Sequence, residues 1–374
     1  MRRVAVIAMV ALLAACSSNK PSPQRLPAPL TEFTQTMSVR NAWEVQVGRA
    51  GDYVFSPAVA GTSLFAAAAD GTVIRVDAQS GQTAWRINAG MPLTAGVGSD
   101  GSTVAVAGKD GTVIAFDAQG KEKWKAKVTT EVLSAPGVGD GIVVVRSLDN
   151  RMVAFDAATG TRRWTLERPA PPLTLRTTPG ILIADQKVFA GLPGGRLVAL
   201  ATTTGAPLWE VAIGFPRGTN DLERISDVSG MPVLNGRSIC AVAYQGRIAC
   251  VDMQNGAARW VREFSSPAGL AVDPRFVFTV DERSVVHGLS RESGANAWQN
   301  DALRNRGLSA PASFGRAVVV GDNQGYLHFL SREDGKLLAR ISTDRSALVT
   351  APQVVGSTLI YQTKGGSLAA LTSD

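Results

Sequence analysis

Apolar runs of about five residues, separated by short clusters of Gly, Asp, Asn and Ser, recur along the chain from about residue 41 to its end. Two examples are SLFAAAADGTVIRVD (63–77) and STVAVAGKDGTVIAFD (102–117), each a pair of β-prone runs joined by Asp-Gly. Because Gly accepts the positive φ of a tight turn, each pair predicts a β-hairpin. A second phrase follows each hairpin: VDAQSGQTAW (76–85), FDAQGKEKW (116–124), FDAATGTRRW (155–164), LATTTGAPLW (200–209), VDMQNGAARW (251–260) and LSRESGANAW (289–298). A seventh copy, LSREDGKLLA (330–339), carries Ala339 where Trp belongs. The Trp positions lie 38 to 51 residues apart, Trp260 to Trp298 being the shortest step and Trp209 to Trp260 the longest. A period near 40 residues with four β-prone runs per repeat predicts a propeller blade.

The two ends of the chain complete the count. Trp43, in NAWEVQV, has no Asp or Gly phrase before it, and the C-terminal YQTKGGSLAALTSD stops after its third strand. If 41–47 supplies the missing outer strand, the fold is an all-β, eight-bladed β-propeller of four-stranded antiparallel blades, its N-terminal strand pairing with the C-terminal blade so that no sheet edge is left at the seam. Trp43, Trp85, Trp124, Trp164, Trp209, Trp260 and Trp298 are then all structural, filling the space left where outer strands splay apart.

The first forty residues read differently. Met-Arg-Arg precedes a twelve-residue apolar run, 4–15, too short to span a bilayer but suited to a secretory signal. It ends in Leu13-Ala14-Ala15-Cys16, which resembles a bacterial lipobox. That resemblance implies acylation of Cys16, and the absence of Asp after it implies the outer membrane, with the chain on the periplasmic face. The Pro- and Ser-rich stretch after Cys16 reads as an extended tether. The expected organisation is therefore a signal peptide over 1–15, an acylated Cys and flexible tether over 16–40, and the propeller over 41–374.

Composition removes several functions. The whole chain has 38 Lys and Arg against 31 acids, for a net charge of +7; losing Arg2 and Arg3 with the signal leaves about +5, since 36 − 31 = 5. The basic residues are scattered, with no aromatic ladder, which speaks against a nucleic-acid partner. His287 and His328 are isolated and cannot make a zinc site with nearby Cys. Gly194-Gly195 occupies a hairpin position and reads as a turn, not a phosphate loop. Asp52, Asp140, Asp273 and Asp322 fall in turns, where Asp caps local backbone. Cys240 and Cys250 flank the hairpin CAVAYQGRIAC symmetrically; they either form a cross-strand disulfide, which the periplasm permits, or stand as two small buried apolar residues.

The phrase Asp-x-x-x-Gly-x-x-x-Trp resembles the tryptophan-docking repeat of eight-bladed pyrroloquinoline-quinone dehydrogenases and their non-enzymatic relatives. The enzymes' pattern includes two adjacent Cys beside the quinone, and this chain has no such pair. Its Trp residues are also committed to packing. The resemblance thus implies a propeller without catalytic residues, quinone or metal. A sugar- or peptide-binding propeller is the other alternative, and it would need exposed aromatics that seven structural Trp and four Tyr hardly allow.

The loops carry the remaining signal. From Trp to the Pro that starts the next repeat takes 12 to 15 residues at four junctions, as from Trp124 to Pro136 and from Trp164 to Pro179, but 23 from Trp209 to Pro232. The insertion is GFPRGTNDLERISDVSG (214–230), and its neighbour LERPAPPLTLRTTPG (166–180) offers Leu173 and Leu175 beside Arg176. Long loops on a rigid scaffold are where binding concentrates. With the lipobox, the tether and the eight repeats, LTLR (173–176) and LERISDV (222–228) resemble the family of scaffold lipoproteins of the outer-membrane β-barrel assembly machinery. The resemblance implies that Leu173, Leu175, Arg176 and Asp227 contact the periplasmic domains of BamA, the central assembly protein, with Glu223 and Arg224 in the second segment and Ser229 just after it. Ser229 departs from the family's pattern, in which an acid stands there. Unfolded barrel proteins are a further implied partner. As loop residues, Arg176 and Asp227 are expected to be neighbours, both substantially solvated.

Overall fold

The computed structural model describes residues 26–169, 173–175, 179–215 and 218–374. Among these, 32 strands form eight four-stranded antiparallel sheets. Seven are continuous meanders, covering 58–88, 95–127, 137–166, 181–212, 228–264, 270–300 and 312–342, numbered here as blades one to seven. Blade eight joins the strands Gln353–Val355, Thr358–Gln362 and Ser367–Ser373 to Val39–Gln46 from the other end of the chain. Val39 faces Ser373 and Gln46 faces Ser367. Ring closure is therefore as the broken first and last repeats predict, with the N-terminal strand starting two residues before Asn41.

Burial follows strand position. The second strand of blade two, Thr103–Ala107, is buried throughout, whereas in the outer strand Glu122–Lys127 only Trp124 is buried. Inner strands are covered on both faces by neighbouring blades and so read as continuous apolar runs, while outer strands alternate because one face meets water. The core accordingly lies between blades: one cluster joins Ala105, Val113 and Trp124 of blade two to Val143, Val153 and Phe155 of blade three.

Each Trp reaches beyond its own blade. Its indole N–H donates to the carbonyl of the residue that opens the next blade's turn, as in Trp43 to Ala78, Trp124 to Ala157 and Trp298 to Arg332, and the seven bonds span 2.7 to 3.1 Å. The Gly of that turn lies flat on the indole. A Cβ placed on Gly160, whose φ is +73°, would stand 2.7 Å from Trp124 Cγ, so both the backbone angle and the close approach require Gly there. In every outer strand one extra residue is bulged just before the Trp position, for example between the pairs Phe155↔Arg162 and Ala154↔Trp164. Such a bulge re-aims the following side chain. The repeated phrase is thus a blade-to-blade dock, more specific than the space-filling role expected of it.

Residues 26–38 depart from a free tether. They run extended along blade seven, with the Ala28 N–H donating to the Arg304 carbonyl and the Thr36 N–H to the Leu338 carbonyl, and Met37 is only 3% exposed. A Pro-rich segment makes few hydrogen bonds of its own, which leaves its carbonyls open to the arginines of the blade beneath it. Cys16 lies outside the described residues.

Candidate functional site: the upper face between blades three and five

In an antiparallel meander, the turns between strands two and three open on the same face as the connections from one blade to the next. We call this the upper face; the docking turns occupy the lower one. On the upper face, Ser147–Asn150, residues 173–175, Gly194-Gly195 and the two ends of the insertion, 213–214 and 226–227, come together.

Asp227 organises them. One carboxylate oxygen accepts the Leu175 N–H at 2.6 Å and the other the Gly194 N–H at 3.0 Å, so one side chain ties the connection after blade three to the blade-four turn. It is 5% exposed, and Ser229 is 2% exposed. The expectation that Asp227 is solvated is therefore corrected: two loop N–H groups, of Leu175 and Gly194, turn inward and are satisfied by its buried carboxylate. Asp227 thereby sets the position of Leu175. Its supposed neighbour Arg176 lies outside the described residues.

The insertion begins where the Gly214 backbone crosses Gly195, to which Ile213 and Gly214 both donate. A Cβ on Gly195 would come within 2.2 Å of Gly214 Cα, and its φ is +70°; the Gly-Gly turn thus exists to let two backbones touch. Beyond it, 218–225 is a self-bonded turn. Glu223 accepts the Thr219 N–H at 2.8 Å, a hydrogen bond that holds its carboxyl below the usual range, and Arg224 Nε donates to the Gly218 carbonyl. Both side chains are exposed and spend their charge on their own loop.

What faces outward is apolar. Leu173 is 42% exposed, and three residues not singled out as contacts in the sequence are exposed on the same face: Leu148 at 48%, Phe215 at 39% and Leu222, the first residue of LERISDV, at 67%. Arg247 lies 4.5 Å over the Phe215 ring and donates to Glu263. Two of the three left a signal in the sequence. Leu148 stands at the apex of a turn, SLDN, where other repeats place Asp-Gly, and Phe215 is an aromatic at the start of an otherwise polar insertion. Beside this patch a cavity of about 180 Å³ opens between Leu148, Leu175, Arg146, Asn150 and Asp227. Burial lowers the Arg146 pKa to about 10, opposed by the nearby Asp227, and its Nη1 donates to the Gly191 carbonyl. The buried Asn150 Oδ1 has no hydrogen-bond partner among the described residues.

Elsewhere the chemistry is structural. Cys240 and Cys250 face each other on adjacent strands of blade five and are joined in a disulfide. His328 and Asp322 are both fully buried, and Asp322 does more than cap its turn: besides accepting two backbone N–H groups it pairs with His328 at 3.0 Å and Arg306 at 2.7 Å. Among the described residues no group of three or more His, Cys, Asp or Glu could hold a metal ion, and no helix is long and apolar enough to cross a membrane.

Three comparisons bear on this arrangement. The family described as outer membrane protein assembly factor BamB matches over residues 69–300 and 284–374. The chain is 46% identical to the outer membrane protein assembly factor BamB of Bordetella pertussis, over 100% of this chain and 97% of that one, and 44% identical to that of Burkholderia pseudomallei, over 98% and 96%. Its fold superposes on the crystal structure of BamB from Moraxella catarrhalis with a TM-score of 0.82 at 26% identity, covering 90% of this chain and all of the other.

Proposed function

As the chain belongs to the BamB family of outer membrane protein assembly factors, we propose that it serves outer-membrane protein assembly as a non-catalytic scaffold, docking through its upper face onto the periplasmic domains of BamA within the assembly complex. The observation that carries the reading is four large apolar side chains exposed on the upper face: Leu148 on the blade-three turn, Leu173 on the long connection after blade three, and Phe215 and Leu222 on the insertion after blade four. Clustered apolar groups beside charged loops suit a protein partner, where they exclude water around the polar contacts. In this reading Leu173, Leu175 and Arg176 make the contacts, Glu223 and Arg224 border them, and Asp227 ties the loops from beneath with Ser229 buried beside it. Unfolded barrel proteins held near this face are a second class of partner in the same role.

Acylation of Cys16 places the scaffold on the periplasmic side of the outer membrane. Leu26, the first described residue, meets Asn305 in a connection of the upper face, and the ten residues from 16 to 26 reach at most ~35 Å. The anchor therefore keeps the docking face within reach of membrane-bound BamA. The test is capture of the purified BamA periplasmic domains by wild-type chain, by the Leu173→Ala, Leu175→Ala double variant and by Arg176→Ala. Loss of capture with unchanged melting is expected; full capture by both variants would move the partner surface elsewhere.

A further inference from the structure

Seven of the eight blade junctions are closed by a Trp docked on the next blade's turn; the junction from blade seven to blade eight is not. Blade eight has no such turn, because its outer strand comes from the other end of the chain, and blade seven presents Ala339 at the Trp position. The volume is made up in two ways. Opposite Ala339 stands Phe329, where Trp124, Trp164 and Trp209 face Ala115, Ala154 and Ala199, so the large side chain has moved to the inner strand. Met37 then joins Ala339, Phe329, Phe314 and Tyr361 in one buried cluster.

We propose that residues 26–38 are a strap that takes the place of the missing Trp dock and locks the seam of the ring. The polar contacts fall at the same spot. The Thr36 and Met37 N–H groups donate to the carbonyl of Leu338, the bulged residue of blade seven, and Ser38 N–H donates to the Asp374 carboxylate at the chain's other end. Three arginines of blade seven and the connection leading into it hold the rest: Arg306 donates to Ala28 O, Arg340 to Thr31 O and Arg316 to Thr36 O, while Arg340 also covers the Phe33 ring at 5.1 Å. Arg306 and Arg340 are themselves positioned from beneath, Arg306 by the buried Asp322 and Arg340 by His328 Nδ1. The strap thus crosses the seam, bonds both blades, and fills the volume that the indole fills elsewhere.

The strap is tested by amide hydrogen exchange on the mature chain and on a variant lacking 26–37, which retains the closing strand Val39–Gln46. Removal should raise exchange at least tenfold in Leu337–Ser342 and Ser367–Ser373 while leaving Thr112–Asp117 and Met152–Asp156, in blades two and three, unchanged. Met37→Ala gives the same reading should the deletion fail to fold, with a smaller rise confined to the same two strands. Unchanged exchange at the seam, or an equal rise in all blades, would overturn the proposal.

Discussion

Where blade three meets blade four, the lower end of the interface is closed by Trp164, whose indole donates to Thr202 O at 2.8 Å beneath the turn glycine Gly205, and which is only 7% exposed. The upper end of the same interface carries Leu173 at 42% exposure and a cavity of about 180 Å³. One end follows the repeat and the other breaks it. Keeping the phrase secures a junction, and departing from it frees side chains for something outside the ring. The seam at blade seven is the second departure, and there the freed volume is taken by the chain's own strap.

The largest effect should come from breaking the lower end. Trp164→Ala removes a buried indole and its hydrogen bond, and is expected to cost about 3–5 kcal/mol of stability, read as a lowered denaturation midpoint. At a temperature where the variant is still folded, its capture of partner should match wild type. A variant as stable as wild type would show that the dock is dispensable.

Next comes the scaffold under the insertion. Replacing Cys240 and Cys250 by Ala opens the short loop that the disulfide closes in blade five, an expected loss of about 2–3 kcal/mol by chain-entropy arithmetic. Equal denaturation midpoints for the oxidised and the substituted chain would remove the disulfide from the account. Asp227→Ala is the substitution that joins the two ends of the comparison, because Asp227 belongs to the upper face yet is buried like the lower one. It leaves the Leu175 and Gly194 N–H groups without acceptors, at about 1–3 kcal/mol, and should weaken capture by releasing Leu175. Weakened capture without any loss of stability would instead make Asp227 a direct contact.

Much of this was legible because the signals were local. Asp-Gly turns, the Trp phrase and the truncated repeats at 41–47 and 361–374 are enough to predict eight blades and their closure. The bulge before each Trp was not readable, since it depends on pairing with another strand, nor was the acceptor on the neighbouring blade. Loop length marked the insertion over 214–230 but could not separate Leu222, which points out, from Asp227, which is drawn under by two N–H groups. The strap was missed because Pro and Ser content reports only that 26–38 makes no structure of its own, not that Arg306 and Arg340 await its carbonyls.

The smallest effect expected is that of acid on the seam. Burial lowers the His328 pKa below its usual 6.5, against the opposing pull of Asp322; Arg340 and Arg306 disfavour the charged ring further, and Tyr326 is the other titratable group facing it. The unfolded chain therefore takes up this proton first, so stability is level above about pH 6.5 and falls as pH drops below it. Protonating Nδ1 also removes the acceptor of Arg340. Protection of the Thr36 and Met37 amides, measured against their intrinsic exchange rates at each pH, should fall between pH 7 and pH 5 in wild type and less so in His328→Asn. Equal pH dependence in the two would exclude His328 as the cause.

The claim that the upper face is the docking surface is tested most directly by calorimetric titration of BamA periplasmic domains into three chains: wild type, Leu173→Ala with Leu222→Ala, and Val261→Ala. Val261 is 41% exposed, nearly as much as Leu173, but lies on an outer strand of blade five. If the face is the surface, the double variant loses about 2 kcal/mol of binding, roughly thirtyfold in affinity, with its melting unchanged, and the Val261 variant binds as wild type does. Equal affinity for all three chains, or a loss in Val261→Ala alone, would contradict it.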